Sequence, residues 1–341
     1  MTGIVQRKSD HIDIVLNEDV SMSTPTGFGG YRFVHQALPE IAFDDVTTDT
    51  EFLGHALGAP LLISSMTGGN EEAGKINRNL AEAAAQLRIP MAVGSQRVLI
   101  ERPDALESFR AAREAASGVP LFGNIGAVQL NKGVTADDIQ RTIDLLGADG
   151  IFLHLNPLQE IVQAGGDTDF SGLLDKIELL VDRLDCPVLI KEVGCGVDPA
   201  LAARLAEVGV AAVDVSGAGG TSWASIEARR ATDEGQRRLG EVFSDWGIPT
   251  VECLTGARAA APELPLIASG GVKTGLDVAK AVTLGADLAG FAMPLLKPAS
   301  ISAEAVVEHL EQILYELRAA MFLTGADSLA SLKANRHRLL P

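Results

Sequence analysis

Cysteine is scarce in this sequence. The 341 residues include only Cys186, Cys195 and Cys253, and none of them belongs to a CxxC pair. An odd number of isolated cysteines argues against a disulfide framework and against a structural zinc site. A protein without disulfides is typical of a reducing compartment, so we expect a cytoplasmic location.

Long apolar runs and excess positive charge are also missing. No uninterrupted apolar stretch approaches the roughly 20 residues that span a bilayer, and the first residues lack the apolar centre of a signal peptide, so we expect a soluble protein. Lys and Arg number 28 against 45 Asp and Glu, which gives a formal net charge of -17. This charge repels polyanions, so we expect neither nucleic acid nor a membrane as a partner. A small phosphorylated ligand remains compatible with it where cations or backbone N–H groups converge locally.

Apolar residues make up 47% of the chain and are concentrated in eight aliphatic runs bounded by Gly, Pro or Asp. Continuous apolar character predicts strands covered on both faces, as in a parallel sheet. Ala/Leu/Glu-rich stretches of helical spacing lie between the runs, for example at 70–87 and 198–209. The alternation predicts an α/β fold, a (β/α)8 TIM barrel, whereas a doubly wound open sheet is disfavoured by the eight units and by the absence of GxGxxG after the first run. The runs lie at 61–65, 91–94, 120–124, 150–155, 187–192, 211–216, 265–269 and 287–292.

The whole chain, 1–341, is predicted to form a single domain, since no low-complexity segment or linker divides it. Residues 1–60 would be an N-terminal arm and lid, and residues 61–300 the barrel. A long insertion after the sixth strand, at 217–264, holds both Trp residues, and C-terminal helices would occupy 301–341. Long excursions in a compact domain are commonly functional lids or packing elements.

Small and hydrogen-bonding residues follow almost every predicted strand. TIM-barrel active sites are assembled at these carboxyl ends. A single Ser or Asn there is commonly a helix N-cap and a glycine pair is commonly a turn, but their coincidence after successive strands predicts a large ligand across the mouth. The segments are 64–69, 94–97, 124–126, 154–160, 191–194, 214–221 and 269–273.

Glycine-rich segments follow the sixth and seventh predicted strands, at 216–223 (SGAGGTSW) and 269–275 (SGGVKTG). Glycines let backbone N–H groups approach a phosphate closely, and barrels commonly build that site from the loops after strands 7 and 8. The arrangement predicts a cofactor with one phosphate on a long stem, such as FMN, whereas a dinucleotide would require the missing Rossmann turn. Lys191 either projects toward the ring or forms a buried ion pair with Glu192 or Asp214, and the sequence leaves both open.

Three further features each have two interpretations. Arg7, Lys8 and His11 precede the barrel and form either a solvated charge cluster or a lid that brings positive charge to an anionic substrate. Glu160 is either a surface carboxylate or a ligand of Mg²⁺, which takes only one or two protein carboxylates together with phosphate oxygens and waters. His154 is either a satisfied core histidine or a hydrogen-bond donor to substrate or flavin.

Taken together, these segments resemble the type II, FMN-dependent isopentenyl-diphosphate Δ-isomerases. The likeness spans nearly the whole chain and depends most on the motifs RKSDHI, SSMTGG, GSQR and HLNPLQE. The resemblance implies a TIM-barrel homotetramer or octamer that converts isopentenyl diphosphate to dimethylallyl diphosphate by a 1,3-proton shift in isoprenoid biosynthesis. It also implies reduced FMN, Mg²⁺, and NADPH as the reductant of the flavin, with the flavin N5 as the favoured acid and base.

Carried over residue by residue, the resemblance implies groups of site residues. FMN would be bound by Ser65, Met66, Thr67, Ser95, Asn124, Lys191, Ser216 and Thr221, with its phosphate near Gly271, Val272, Lys273, Ala292 and Met293. The substrate would contact Arg7, Lys8, His11, Ser95, Gln96, Arg97, His154, Asn156 and Gln159, and Glu160 would bind Mg²⁺. We expect His154, Lys191 and Gln159 to take part in catalysis with the flavin. Many members carry Arg at position 273; Lys273 offers charge without a bidentate fork, so we expect a somewhat lower FMN affinity.

The main alternative is an FMN-dependent 2-hydroxy-acid oxidase or dehydrogenase, which uses a similar barrel and phosphate site. Such an enzyme requires a His base and an Arg pair near the seventh strand, and the segment ASGGVK contains no His. A flavin-storing barrel is the non-catalytic alternative, but it would not require Arg7, Lys8 or Glu160. Cys195, in the predicted loop after strand 5, is a weak candidate for an acid/base thiol, because buried loop cysteines are commonly inert.

Overall fold

The computed structural model describes residues 3–67, 71–101 and 103–341. Its centre is a closed barrel of eight parallel strands that pair with their neighbours in chain order. The predicted TIM barrel is therefore confirmed, and each strand limit lies within two residues of the prediction. Gly68 and Gly69 of the predicted first loop, and Asn70 of the predicted first helix, lie outside the described residues. The strands are β1 (Leu61–Ile63), β2 (Met91–Ala92), β3 (Leu121–Gly126), β4 (Gly150–Leu155), β5 (Val188–Glu192), β6 (Ala212–Asp214), β7 (Leu266–Ala268) and β8 (Leu288–Phe291).

Helices precede the barrel, return the chain between its strands and close the sequence. Within the described ranges, no helix is both long and apolar enough to cross a membrane. The helices are α1 (Gly3–Asn17), α2 (Glu71–Leu87), α3 (Arg97–Glu101), α4 (Glu107–Ala115), α5 (Ala136–Leu146), α6 (Pro157–Val162), α7 (Leu173–Val181), α8 (Pro199–Glu207), α9 (Trp223–Arg230), α10 (Glu234–Val242), α11 (Thr250–Ala260), α12 (Gly275–Leu284), α13 (Met293–Ile301), α14 (Ala303–Leu323) and α15 (Leu329–Ala334). Short 3-10 turns lie at Phe28–Gly30, Phe43–Asp45, Pro103–Leu106, Ala127–Lys132 and Asn335–Arg338.

Local sequence sets where the outer helices begin. Helix α5 starts with a capping box, in which Thr135 Oγ1 accepts the N–H of Asp138 at 3.2 Å and the Asp138 carboxylate accepts the N–H of Thr135 at 3.1 Å. Helix α12 repeats the arrangement with Thr274 and Asp277. The Thr-x-x-Asp spacing satisfies two N–H groups that the first turn would otherwise leave unpaired.

An apolar floor fills the lower half of the barrel. Phe122 and Phe152 meet edge to face there, with ring centroids 5.6 Å apart. A hairpin formed by Thr50–Phe52 and His55–Leu57 packs Phe52 and Leu57 into the same cluster, so it closes the amino-terminal end of the barrel. The strand residues of this floor are Leu62, Ala92, Phe122, Phe152, Leu189, Ala212, Ile267 and Leu288.

A second layer lies directly above this floor, which we call the polar layer. Side chains alternate along a strand, so residues two positions beyond the floor residues also point into the barrel. Each of these residues is small or polar, and all but Asp214 line the cavity at the mouth. The polar layer consists of Ser64, Gly94, Asn124, His154, Lys191, Asp214, Ser269 and Gly290.

Part of the N-terminal arm packs into the core of the protein. Ile12, Phe28 and Val46 are buried in the main apolar cluster. After α1 the chain runs beside the loop that follows β6, where Ser21 forms an antiparallel bridge with Thr221. The arm therefore contributes to stability as well as to the mouth of the barrel.

We predict that Phe28→Ala destabilises the protein by about 3–5 kcal/mol, because truncating a buried Phe removes apolar contacts and leaves a cavity. Phe28 is 1% exposed, whereas Leu38, in the same arm, is 74% exposed and serves as the matched control. Urea unfolding monitored by circular dichroism measures both variants. Equal stability of Phe28→Ala and Leu38→Ala would contradict the placement of the arm in the core.

Candidate active site

A cavity of about 280 Å³ opens at the carboxyl ends of the barrel strands. All eight strand ends contribute to it, and α1 of the arm forms part of its wall. The residues predicted to bind FMN all line it, namely Ser65, Met66, Thr67, Ser95, Asn124, Lys191, Ser216, Thr221, Gly271, Val272, Lys273, Ala292 and Met293. The predicted substrate and metal residues that line it are Arg7, Lys8, His11, Ser95, Arg97, His154, Asn156, Gln159 and Glu160.

Gln96 was also predicted to contact substrate, but it does not line this cavity. Its side chain is fully buried, where Nε2 donates to the carbonyl of Thr142 at 3.2 Å and Oε1 accepts the N–H of Asn124 at 3.2 Å. Both ends of the amide are thus used to fasten the β2 loop to β3 and α5. The geometry favours a supporting role, in which Gln96 holds Ser95 and Arg97 on either side of it.

His154 belongs to a hydrogen-bonded row across the polar layer. Asn124 donates from Nδ2 to Ser65 Oγ at 2.9 Å, which leaves its Oδ1 to accept from Nδ1 of His154 at 2.9 Å. Burial, and then the charges of Lys191 and Lys8, lower the pKa of His154 to about 3. The imidazole is therefore neutral with its proton on Nδ1, so Nε2 accepts a hydrogen bond. The expectation that His154 donates to the ligand is not favoured by this geometry.

Lys191 lies in the polar layer beside Asp214, its register partner on β6. Its Nζ donates to the carbonyl of Glu192 at 2.6 Å and forms no ion pair with any described carboxylate. The Glu192 carboxylate instead accepts the N–H groups of Val193 and Gly194 at 2.6 and 2.7 Å. Burial lowers the pKa of Lys191, and the charges of Asp214 and Glu192 oppose that shift. Lys191 thus faces the cavity, with the two carboxylates as neighbours and not as direct partners.

Glycine-rich loops meet backbone to backbone at one part of the cavity. Gly270 and Gly271 have φ angles of 95° and 77°, and a Cβ at either position would collide with backbone of the segment 217–219. Helix α13 begins beside them after Ala292, and no side chain caps its first turn. Uncapped N–H groups and close-packed glycine backbone fit a phosphate, to which Lys273 adds charge. Buried oxygens without a hydrogen-bond partner among the described residues, Ser64 Oγ and Thr67 Oγ1, fit the polar edge of a bound ring.

Three cations converge at another part of the cavity. Arg7 and Lys8 come from α1, and Arg97 comes from the start of α3. Lys8 Nζ donates to the carbonyl of Ser95 at 3.2 Å, and Arg97 pairs with Asp167 at 3.0 Å. Burial, and then the charge of Arg7, lower the pKa of Lys8 to about 8. In a chain of net charge -17, this cluster favours the lid interpretation over a solvated charge run.

Glu160 lies in the cavity wall and is only 9% exposed, so it is not a surface carboxylate. Its Oε1 accepts from Asn156 Nδ2 at 2.8 Å and its Oε2 accepts the N–H of Asp167 at 2.6 Å. Asn156 Oδ1 is buried and has no hydrogen-bond partner among the described residues. Glu160 and this amide oxygen are the hard ligands that Mg²⁺ prefers. The described chain contains no group of three or more His, Cys, Asp or Glu that could hold a metal, so Mg²⁺ fits here only with substrate oxygens and waters.

Glu227 joins the arm to the insertion. Its Oε1 accepts from His11 Nε2 at 3.0 Å and from Gln159 Nε2 at 3.4 Å, while its Oε2 accepts from Arg230 at 2.7 Å. The His11 ring also packs edge-on against Trp223, with centroids 5.1 Å apart. Burial lowers the pKa of His11 more than Glu227 raises it, so the contact is a hydrogen bond from a neutral imidazole. His11 and Gln159 are therefore held in place by Glu227.

Three residues that line or support the cavity were not predicted from the sequence, although each has a recognisable signal. Trp223 and Glu227 are four positions apart on α9, which places them on one helix face, and they directly follow the glycine-rich segment. Asp167 follows the glycine pair 165–166 shortly after Glu160. A carboxylate after two glycines, close to a predicted metal ligand, indicates a loop that folds back onto that ligand.

Cys195 does not line the cavity. Burial, and then the charge of Glu192, raise the pKa of its thiol to about 12. A thiol that stays protonated and out of reach of the cavity is not suited to acid/base catalysis.

Solved structures with a similar fold include two flavoenzymes. A flavocytochrome b2 variant with sulfite bound is 19% identical, with 97% of this chain and 82% of that chain covered and a TM-score of 0.71. A mandelate oxidase variant with a monooxide FMN adduct is 18% identical, with 93% and 89% covered and a TM-score of 0.64. Identities of this size establish the shared barrel fold alone.

Sequence relatives are much closer. The family model for FMN-dependent dehydrogenases matches residues 154–339. The isopentenyl-diphosphate delta-isomerase of Nostoc sp. is 53% identical, with 96% of this chain and 93% of that protein covered. Those of Vibrio campbellii and Stutzerimonas stutzeri are 51% and 50% identical, with at least 97% of each chain covered. The chain therefore belongs to the isopentenyl-diphosphate delta-isomerase family.

Proposed function

We propose that the protein isomerises isopentenyl diphosphate to dimethylallyl diphosphate, with reduced FMN as cofactor and Mg²⁺ bound together with the diphosphate. The observation that carries the proposal is that two separate groups of anion-binding residues share one cavity. The glycine loops around Gly270 and Gly271 fit the phosphate of FMN, and Arg7, Lys8 and Arg97 fit the diphosphate of a substrate. Close relatives named for this activity support the assignment.

The reaction adds a proton to one carbon of an alkene and removes a proton from another, without net oxidation. An unactivated alkene is a poor base, so the site requires a strong acid and a surface that stabilises positive charge. Burial and the charges of Lys191 and Lys8 lower the pKa of His154 to about 3, which disfavours His154 as that acid. Reduced FMN, when bound, would supply the proton donor and acceptor through N5.

Protein side chains then position the reacting groups. Lys191 lies in the polar layer, where its side chain, when protonated, would offset negative charge on the reduced ring. Gln159 is held between Asn156, which donates to its Oε1 at 3.1 Å, and Glu227, so its amide is oriented before substrate binds. His154 offers an acceptor at Nε2. We infer that these groups orient the substrate against the ring and exclude water from it.

We assign diphosphate binding to residues of α1, α3 and α6. Arg7 and Lys8 supply positive charge from α1, and Arg97 supplies a planar guanidinium that suits phosphate oxygens. Glu160, with Asn156 Oδ1, would hold Mg²⁺ against the same oxygens. The half-buried position of Lys8 strengthens its interaction with an anion, because the local dielectric is lower than that of water.

The resemblance also supports proposals that concern the whole enzyme. We infer that NADPH reduces the flavin, that the protein assembles as a homotetramer or octamer, and that it acts in the cytoplasm. The 2-hydroxy-acid oxidase alternative is not favoured, because the loop after β7 consists of Ser, Gly, Gly, Val and Lys at 269–273 and offers no histidine base.

An anaerobic assay in D₂O tests the proposed function. The purified protein is loaded with FMN, reduced, and incubated with isopentenyl diphosphate with and without Mg²⁺, and the products are followed by NMR. The proposal predicts dimethylallyl diphosphate and deuterium incorporation that depend on Mg²⁺. A colourless protein that exchanges no deuterium would overturn it, and oxidation of a 2-hydroxy acid by the same preparation would favour the alternative.

We predict that Glu160→Gln raises the half-saturating Mg²⁺ concentration about tenfold or more, because the variant keeps the size of the side chain and loses the charge that holds the metal. FMN should remain bound, since Glu160 is not part of the glycine loops. Steady-state Mg²⁺ titrations with parallel flavin spectra measure both effects. Glu178→Gln, an exposed glutamate on α7, is the control. An unchanged Mg²⁺ requirement in Glu160→Gln would remove Glu160 from the metal site.

We predict that KM for isopentenyl diphosphate rises as pH increases through about 8, because the Lys8 ammonium, with a pKa of about 8, loses its proton there. The effect on kcat should be smaller. Lys8→Arg is the matched control, since a guanidinium stays charged throughout this range. Initial rates from about pH 7 to about pH 9.5 give both profiles. Parallel KM profiles in wild type and Lys8→Arg would contradict the role of Lys8.

A further inference from the structure

We propose that Asp167 is a positioning residue for the diphosphate site. It holds the Arg97 guanidinium and the Glu160 carboxylate in one fixed arrangement. The proposal rests on the proposed function, because it concerns the same diphosphate and metal. Asp167 itself does not line the cavity, so it would act through its neighbours.

The Asp167 carboxylate collects donors from two neighbouring loops. Its Oδ2 accepts from Arg97 at 3.0 Å and from Gln129 Nε2 at 3.1 Å, and its Oδ1 accepts from Lys132 at 2.9 Å. Arg97 follows β2, whereas Gln129 and Lys132 follow β3. A single carboxylate thus ties the β2 and β3 loops to the loop that follows α6.

The backbone of Asp167 makes the second connection, since its N–H donates to Glu160 Oε2 at 2.6 Å. The preceding residue, Gly166, packs so closely on the carbonyl of Glu160 that a Cβ would not fit there. Asn131 anchors the far side of the loop by donating to the carbonyls of Asp169 and Ser171 at 2.8 and 3.0 Å. The loop therefore holds Oε2 of Glu160, while Oε1 accepts from Asn156 Nδ2 at 2.8 Å, so the carboxylate is fixed at both oxygens.

Charge explains why an aspartate next to an anion site assists binding. Burial raises the pKa of Asp167, but hydrogen bonds from Lys132 and Gln129 and the charge of Arg97 have a larger, opposite effect. The net pKa is lowered, so the carboxylate is ionised at neutral pH. Its charge is balanced by Arg97 and Lys132, and its side chain is only 14% exposed. A guanidinium already fixed by this contact loses less side-chain freedom when the diphosphate binds.

Two roles for Asp167 predict opposite results. As a positioning residue it improves diphosphate binding, because it orders Arg97 and keeps the Glu160 contact in register. As a competitor it would weaken binding, because the ligand would have to displace it from Arg97. The hydrogen bond from the Asp167 N–H to Glu160 favours the positioning role, because Asp167 then contacts both the cation and the carboxylate of the diphosphate site.

Calorimetry on the oxidised holoenzyme tests this without turnover. Isopentenyl diphosphate is titrated with saturating Mg²⁺ into wild type, Asp167→Asn and Asp169→Asn, the last an exposed control in the same loop. We expect Asp167→Asn to weaken Kd about 10-fold, with an unchanged flavin spectrum, and Asp169→Asn to stay within about twofold. In steady state, KM and the half-saturating Mg²⁺ concentration should rise while kcat changes little.

A double-mutant comparison with Arg97 tests whether Asp167 acts through the Arg97 guanidinium. In an Arg97→Ala background, Asp167→Asn should weaken Kd by much less than it does in wild type, because the contact is already lost. Equal effects in both backgrounds, or wild-type or tighter binding by Asp167→Asn, would overturn the proposal. If Asp167→Asn does not fold, Asp167→Glu replaces it: a several-fold weaker Kd supports the proposal and a wild-type Kd overturns it. A wild-type protein that neither binds nor isomerises the substrate would instead contradict the proposed function.

Discussion

Side-chain alternation in a closed parallel barrel is the constraint on which this active site depends. Each strand points every second residue inward, so a floor residue such as Phe152 fixes the direction of His154, and Leu189 does the same for Lys191. The packed apolar floor fixes the strands, and the strands in turn fix the side chains of the polar layer. Ligand-binding groups attached to such strands hold their geometry better than groups on loops alone.

Positive charge in this acidic protein is local and is held by packing. Ile12 and Phe28 bury the arm in the core, and α1 consequently keeps Arg7 and Lys8 at the mouth. Burial, and then the charge of Arg7, lower the pKa of Lys8 to about 8, and an anionic ligand would oppose that shift. Strongly shifted groups of this kind are typical of functional sites.

The strands and the polar residues around the mouth could be predicted from short-range patterns, because aliphatic runs mark the strands and polar residues end them. The assignment of individual residues to FMN, substrate or Mg²⁺ depended on the family resemblance. The exceptions depend on contacts between distant positions. His11 meets Glu227 across 216 residues and Arg97 meets Asp167 across 70, and no local pattern reports such pairs. The motif around Gln96 indicated a substrate contact. Only the fold shows that the Gln96 amide hydrogen-bonds to Asn124 of β3 and Thr142 of α5. The tautomer of His154 likewise depends on which atom of Asn124 faces it.

We propose that one cavity holds a flavin phosphate in its glycine loops and a substrate diphosphate among the cations of α1 and α3. A crystal structure of the protein with reduced FMN, Mg²⁺ and isopentenyl diphosphate tests this arrangement. We expect the FMN phosphate beside Gly270 and Gly271, and the diphosphate in contact with Arg7, Lys8 and Arg97, with Mg²⁺ on Glu160. A diphosphate bound away from these cations, or a flavin phosphate outside the glycine loops, would contradict it.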